Sequence, residues 1–78
     1  MILEFYEEGK ESCRKVHEIL ERFPNVQVFR VNVHDNESLP LIDLHQVCVT
    51  PTLIFLPSLY SLCGDIKVQD LIKAINMY

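Results

Sequence analysis

Strand-like and helix-like segments alternate along these 78 residues, and that order leaves few folds open. Ile2 to Tyr6 is a short apolar run closed by Glu7-Glu8-Gly9. It is apolar at both parities and so predicts a central strand. From Ser12, a candidate cap, to Phe23 the period changes. Cys13, Val16, Ile19, Leu20 and Phe23 then fall on one face of a helix. The opposite face carries Glu11–Lys15, Arg14–Glu18 and Glu18–Arg22 at i,i+4 spacing, as a solvated face does, and Pro24 stops the helix. Val26 to Val33 predicts a second strand, with Phe29, Val31 and Val33 on one side. His34-Asp35-Asn36-Glu37 is a turn. Ser38 then caps a second helix that tolerates Pro40 in its first turn and directs Leu39, Ile42 and Val47 inward. Val49-Thr50-Pro51-Thr52 opens a third strand, Leu53 to Leu56, and Pro57-Ser58 turns the chain into a fourth, Leu59 to Cys63. Gly64-Asp65 ends that hairpin, and Asp65 can cap a last helix whose buried stripe is Val68, Leu71, Ile72 and Ile75.

The resulting order is β-α-β-α-β-β-α. The first β-α-β unit requires a right-handed parallel crossover, and the closing hairpin adds antiparallel strands. A mixed four-stranded sheet with helices on both faces is the economical packing, in one α/β domain spanning residues 1–78. A net charge of −4 without a basic cluster gives a phosphate backbone nothing to hold, so nucleic acid is not an expected partner. No stretch approaches the roughly 20 apolar residues of a membrane span. The opening Met-Ile-Leu-Glu-Phe-Tyr has no basic n-region of a secretory signal. Three widely spaced cysteines, Cys13, Cys48 and Cys63, do not make a disulfide framework and suit a reducing cytoplasm, where they read as small buried hydrophobes.

The segment Val49-Thr50-Pro51-Thr52-Leu53 before a hairpin resembles the one that holds a cis-proline in thioredoxins and glutaredoxins. The closing Gly64-Asp65 and its helix resemble the same superfamily. The resemblance implies the thioredoxin-like fold over the whole chain, with a cis Thr50–Pro51 peptide. The loop after the first strand sits where those proteins place Cys-x-x-Cys, and here it reads Glu7-Glu8-Gly9-Lys10-Glu11-Ser12-Cys13. Counting back from Cys13, Lys10 stands at the attacking cysteine's position. A lysine can neither attack a disulfide nor resolve a mixed one. Leu3-Glu4-Phe5-Tyr6 to Gly9, then Thr50-Pro51-Thr52-Leu53, Pro57 and Gly64-Asp65, resemble the branch of the superfamily formed by the clock protein KaiB and the SasA sensor domain. That branch lacks the cysteine pair. The resemblance implies a non-catalytic module that binds another protein, such as a KaiC-like ATPase, through Gly9, Lys10, Glu11, Thr50 and Pro51, with no cofactor.

The alternative is a divergent glutaredoxin- or thioredoxin-like redox protein acting through one cysteine, with glutathione in place of the resolving thiol. Cys13 is the candidate. Near a helix N-terminus it can be an activated thiol, and in the stripe with Val16 and Leu20 it is a core residue. Cys13 and His17 have i,i+4 metal-ligand spacing but no third ligand in register, so no metal is expected. A Cys13–Cys48 disulfide is left open by the sequence. His34 and His45 read as surface residues, and Glu7, Glu8 and Glu11 as an acidic cluster beside Lys10.

Overall fold

A computed structural model describes all 78 residues in the order β1 (Ile2–Tyr6), α1 (Glu11–Leu20), β2 (Val28–Asn32), α2 (Leu39–His45), β3 (Thr52–Phe55), β4 (Tyr60–Cys63) and α3 (Val68–Met77). The four strands form one sheet in the order β2-β1-β3-β4. β1 runs parallel to β2 with Leu3 opposite Phe29, and antiparallel to β3 with Leu3 opposite Ile54. β3 and β4 close the hairpin with Leu53 opposite Leu62. The sheet is mixed and carries helices on both faces, as the element order requires. No helix is long and apolar enough to cross a membrane.

Alternation along β1 and β3 divides the core in two. Ile2, Leu53 and Phe55 face α1 and α3, where they meet Val16, Ile19, Leu20, Leu71 and Ala74. Leu3, Phe5, Val31 and Ile54 face the other way, where Leu41, Ile42 and Val47 cover them. α2 is only seven residues long, about 10 Å. It shields the middle of its face and leaves both ends open. Phe29 and Leu39, expected inside, are therefore each about half exposed, and so is Val68 at the start of α3.

The helix ends also differ from expectation. α1 starts one residue after Lys10, so Ser12 lies inside it, and it stops at Leu20, short of Phe23. Phe23 N–H instead donates to the Leu20 carbonyl in a tighter turn, and the Phe23 ring still packs on the core. Asp65 does not cap α3, whose N-cap is Lys67. Ser38 makes no side-chain cap bond. Asp35 accepts from the Glu37 N–H and starts a 3-10 turn, Asn36–Ser38, that leads into α2. At the other end of α2, Gln46 lies in the left-handed region at φ 53°. Val47 N–H donates to Ile42 O at 3.0 Å and Gln46 N–H to Asp43 O at 3.3 Å. This is the paired closure that usually employs glycine, with Val47 and Ile42 both packed on the core.

Glu4 is the largest departure from the sequence reading. It stands on the central strand, on the face that meets α1 and α3, with no exposed surface. One carboxylate oxygen, Oε1, lies 3.2 Å from His17 Nδ1 and accepts from Arg30 Nε at 3.2 Å. The other, Oε2, has no hydrogen-bond partner. A buried carboxylate with one bare oxygen carries a desolvation cost that only its two contacts offset. Its partners sit near the surface, and the Arg30 guanidinium is stacked over the Tyr6 ring at 3.9 Å. They can therefore be solvated without it.

Two stability changes follow. Glu4→Met should stabilise the fold by roughly 1–3 kcal/mol, since an apolar side chain of similar length fills the site without an unpaired oxygen. Gln46→Gly should add about 0.5–1 kcal/mol by relieving the left-handed backbone. Urea unfolding followed by circular dichroism measures both, and destabilisation in either variant would contradict the corresponding account.

Candidate functional site

The loop Glu7–Lys10 joins β1 to α1 at the end of the sheet where the β3 segment also begins. Tyr6 ends β1, and the chain must reverse at once to start α1. Gly9 does so at φ 78°, a conformation most residues avoid. Lys10 follows as an extended N-cap whose side chain makes no cap bond. Its ammonium reaches across to the Thr50–Pro51 segment instead. Nζ donates to the Thr50 carbonyl at 2.7 Å and to Thr50 Oγ1 at 3.0 Å. Thr50 and Pro51 are buried, and the Thr50–Pro51 peptide is cis, as is Leu56–Pro57.

Glu7 closes the network. Thr50 Oγ1 donates to Glu7 Oε1 at 2.6 Å, and His34 Nε2 lies 3.3 Å from Oε2. Lys10 Nζ is 3.9 Å from Oε1. The Thr50 hydroxyl thus accepts from a cation and donates to an anion, a fully used donor–acceptor pair. These contacts, the Thr50 hydroxyl first and His34 second, hold the Glu7 carboxyl below the ordinary glutamate range. The acidic cluster seen in the sequence is therefore split. Glu7 turns inward to Thr50, Glu8 is exposed, and Glu11 pairs with Arg14 along the outer face of α1. Hydrogen bonding from Arg14 likewise lowers the Glu11 carboxyl. Arg14 also pairs with Glu18, whereas Lys15 and Arg22 are in no ion pair.

Of the expected binding residues, the fold brings Lys10 and Thr50 into contact, and Gly9 and Pro51 adjoin them along the chain. Glu11 points elsewhere. Cys13 lies beneath this pole, 2 % exposed, and its Sγ accepts the Glu7 N–H at 3.5 Å. It forms part of the lining of a hollow of about 280 Å³, together with Lys10, His17 and Arg30. His17 turns to Glu4 rather than pairing with Cys13 around a metal, and no three His, Cys, Asp or Glu side chains converge as a metal site. All three cysteines are free. Cys13 is buried, but Cys48 and Cys63 are exposed, which overturns their reading as core residues and leaves no Cys13–Cys48 bridge. His34 is exposed as expected, while His45 is half-buried with its ring edge-on to Phe5 at 6.1 Å.

The sequence reading missed Glu4 and Arg30 under this pole and the bridging part of Glu7. A glutamate inside an otherwise apolar strand was the available signal for Glu4. Nothing in local spacing joins Glu7 to Thr50, because their proximity comes from the β1–β3 pairing.

No protein-family model matches the chain, and no curated protein does. Solved structures match over almost all of it. Thioredoxin O2 from Arabidopsis thaliana superposes with a TM-score of 0.81 at 18% identity, over 97% of this chain and 71% of that one. A malarial protein superposes with a TM-score of 0.76 at 21% identity, over 97% of this chain and 92% of its own. Thioredoxin-2, a component of the malaria parasite protein secretion machinery, gives 0.69 at 22% identity, over 99% of this chain and 81% of its own. At such identities the likeness is one of fold, and the chain has the thioredoxin-like fold.

Proposed function

We propose that this chain is a non-catalytic thioredoxin-fold module that binds another protein through the pole built by Gly9, Lys10, Thr50 and Pro51. The observation that carries the reading is the position of the Lys10 ammonium. Counting back from Cys13, Lys10 stands at the residue where the resemblance puts an attacking cysteine, and its ammonium is tied to both the carbonyl and the hydroxyl of Thr50. Thiol–disulfide exchange needs a nucleophilic sulfur there. A lysine bound to the neighbouring loop supplies a fixed, charged docking edge instead, with Glu8 exposed beside it. Within this reading the KaiB and SasA sensor-domain branch remains the finer assignment, with a KaiC-like ATPase as the kind of partner and a reducing cytoplasm as the compartment.

A second reading, monothiol redox chemistry at Cys13, draws support from the sulfur's place on the wall of the hollow beside Lys10. Its burial and its stripe with Val16 and Leu20 favour the core role.

Three measurements separate these readings. In an insulin reduction assay with dithiothreitol the chain should not exceed background, whereas Lys10→Cys should raise the rate by restoring the dithiol spacing. Catalysis by the unaltered chain would refute the binding reading. In timed alkylation with iodoacetamide near neutral pH, read by mass spectrometry, Cys13 should react more slowly than Cys48 and Cys63, and the reverse order would favour redox chemistry. Affinity capture from the native host's lysate should recover a partner that Lys10→Glu loses by at least roughly tenfold, about 1.4 kcal/mol. Equal recovery would place binding elsewhere.

The Glu7 network adds a pH dependence. Its carboxyl is lowered in the folded state, so its contribution is complete above the ordinary glutamate value and disappears as pH falls through the lowered one. Chemical unfolding between about pH 6 and pH 3 should show a loss of stability that is smaller in Glu7→Gln. Parallel curves for the two proteins would exclude this account.

A further inference from the structure

We propose that the free edge of β4 is a homodimer interface, at which two copies pair antiparallel about a two-fold axis through Leu62 to make one continuous eight-stranded sheet. The sheet order leaves two edges, β2 and β4. The β2 edge carries Arg30. β4 reads Tyr-Ser-Leu-Cys and has none of the charges or prolines that ordinarily keep an exposed edge from pairing.

The direction of its free backbone groups follows from the hairpin. Gly64 N–H donates to Pro51 O at 2.9 Å. Alternation along an antiparallel ladder then turns Leu62 and Tyr60 toward β3, and turns the amides and carbonyls of Ser61 and Cys63 outward. A second copy with its Cys63 opposite Ser61 satisfies all four outward groups on each chain. It also brings Leu62 against the partner's Leu62 at a non-hydrogen-bonded position, where side chains approach closest. Leu62 already packs on the α1–α3 core, so that contact extends a core rather than starting one.

The two faces of the edge support the same occupant. On one, Tyr60 stacks on Tyr78 with ring centroids 4.5 Å apart. On the other, the short α2 leaves a groove of about 430 Å³, whose walls include Leu44, Cys48, Val49, Leu59, Ser61 and Cys63 and bear no Asp, Glu, Lys or Arg. Leu59 is 62% exposed at the rim and sits at φ 67°, where a bulky side chain is strained. A chain of net charge −4 repels its own copy, and a face free of formal charge is where two copies meet with least penalty. A partner of opposite charge would gain nothing from such a face. This proposal is independent of the protein-binding reading above, which concerns the Lys10–Thr50 pole.

Sedimentation equilibrium over a range of concentrations should give a species of twice the 9.1 kDa chain mass. The Ser61 and Cys63 amides should be protected from hydrogen exchange to a degree similar to Leu62. Ser61→Pro removes an outward N–H and no hydrogen bond to β3, so it should yield a monomer with an unchanged circular dichroism spectrum. Should that variant misfold, Leu62→Cys with Cys48→Ser and Cys63→Ser provides the check. Mild oxidation by glutathione disulfide should then link two chains through position 62. A monomer at every concentration with fast-exchanging Ser61 and Cys63 amides would overturn the proposal and leave the edge to a strand of another protein. A dimer that Ser61→Pro leaves intact, or that does not cross-link through position 62, would also overturn it.

Discussion

The structure depends on β1 being paired along both edges. Five of its residues match β2 and four match β3, so this one short strand joins the crossover half of the chain to the hairpin half. Its alternate side chains supply both cores, Ile2 to the α1–α3 side and Leu3 and Phe5 to the α2 side. Its end fixes where the Glu7–Lys10 loop emerges, and its pairing with β3 sets Thr50 within reach of that loop. The polar pole is therefore a consequence of strand register and not of any local motif.

Much of this was legible in the residues. Apolar period and the punctuation at Gly9, Pro24, Pro57 and Gly64 were enough to order the elements, because a change from period 3.6 to period 2 has no other economical reading. Helix ends were less legible. Ser12 and Asp65 are good caps by type, yet Lys10 and Lys67 hold those positions, because the loop's geometry outweighs a preference of about 1 kcal/mol. Burial at the periphery was misread for a related reason. Phe29, Leu39, Val68, Cys48 and Cys63 are apolar or thiol side chains of the kind usually buried, but a helix as short as α2 and a four-stranded sheet do not reach far enough to cover them all.

The candidate site was legible in type and not in wiring. That Lys10 stands where the resemblance puts a sulfur nucleophile could be expected from the residues. Its bonds to Thr50 could not, since they link positions that only the tertiary fold brings together. Glu4 shows the opposite failure. The residue was in plain view inside a strand, and its apolar neighbours concealed a buried charge held by Arg30 and His17. Local inconsistency of this kind, a charge at a core position, is where function or strain tends to reside. Here it lies directly under the pole that the proposed function uses.

The register of β1 also bears on the order of assembly. The strand's parallel partner β2 follows after a single helix, whereas its antiparallel partner places Phe55 opposite Ile2. As the chain leaves the ribosome, the β1-α1-β2 unit can close on local contacts, but one flank of its central strand stays bare until β3 arrives. Contacts so distant in sequence form late, since loop closure must precede them. In that interval the emerging chain presents an apolar strand with a free edge, the kind of surface that invites pairing with another chain.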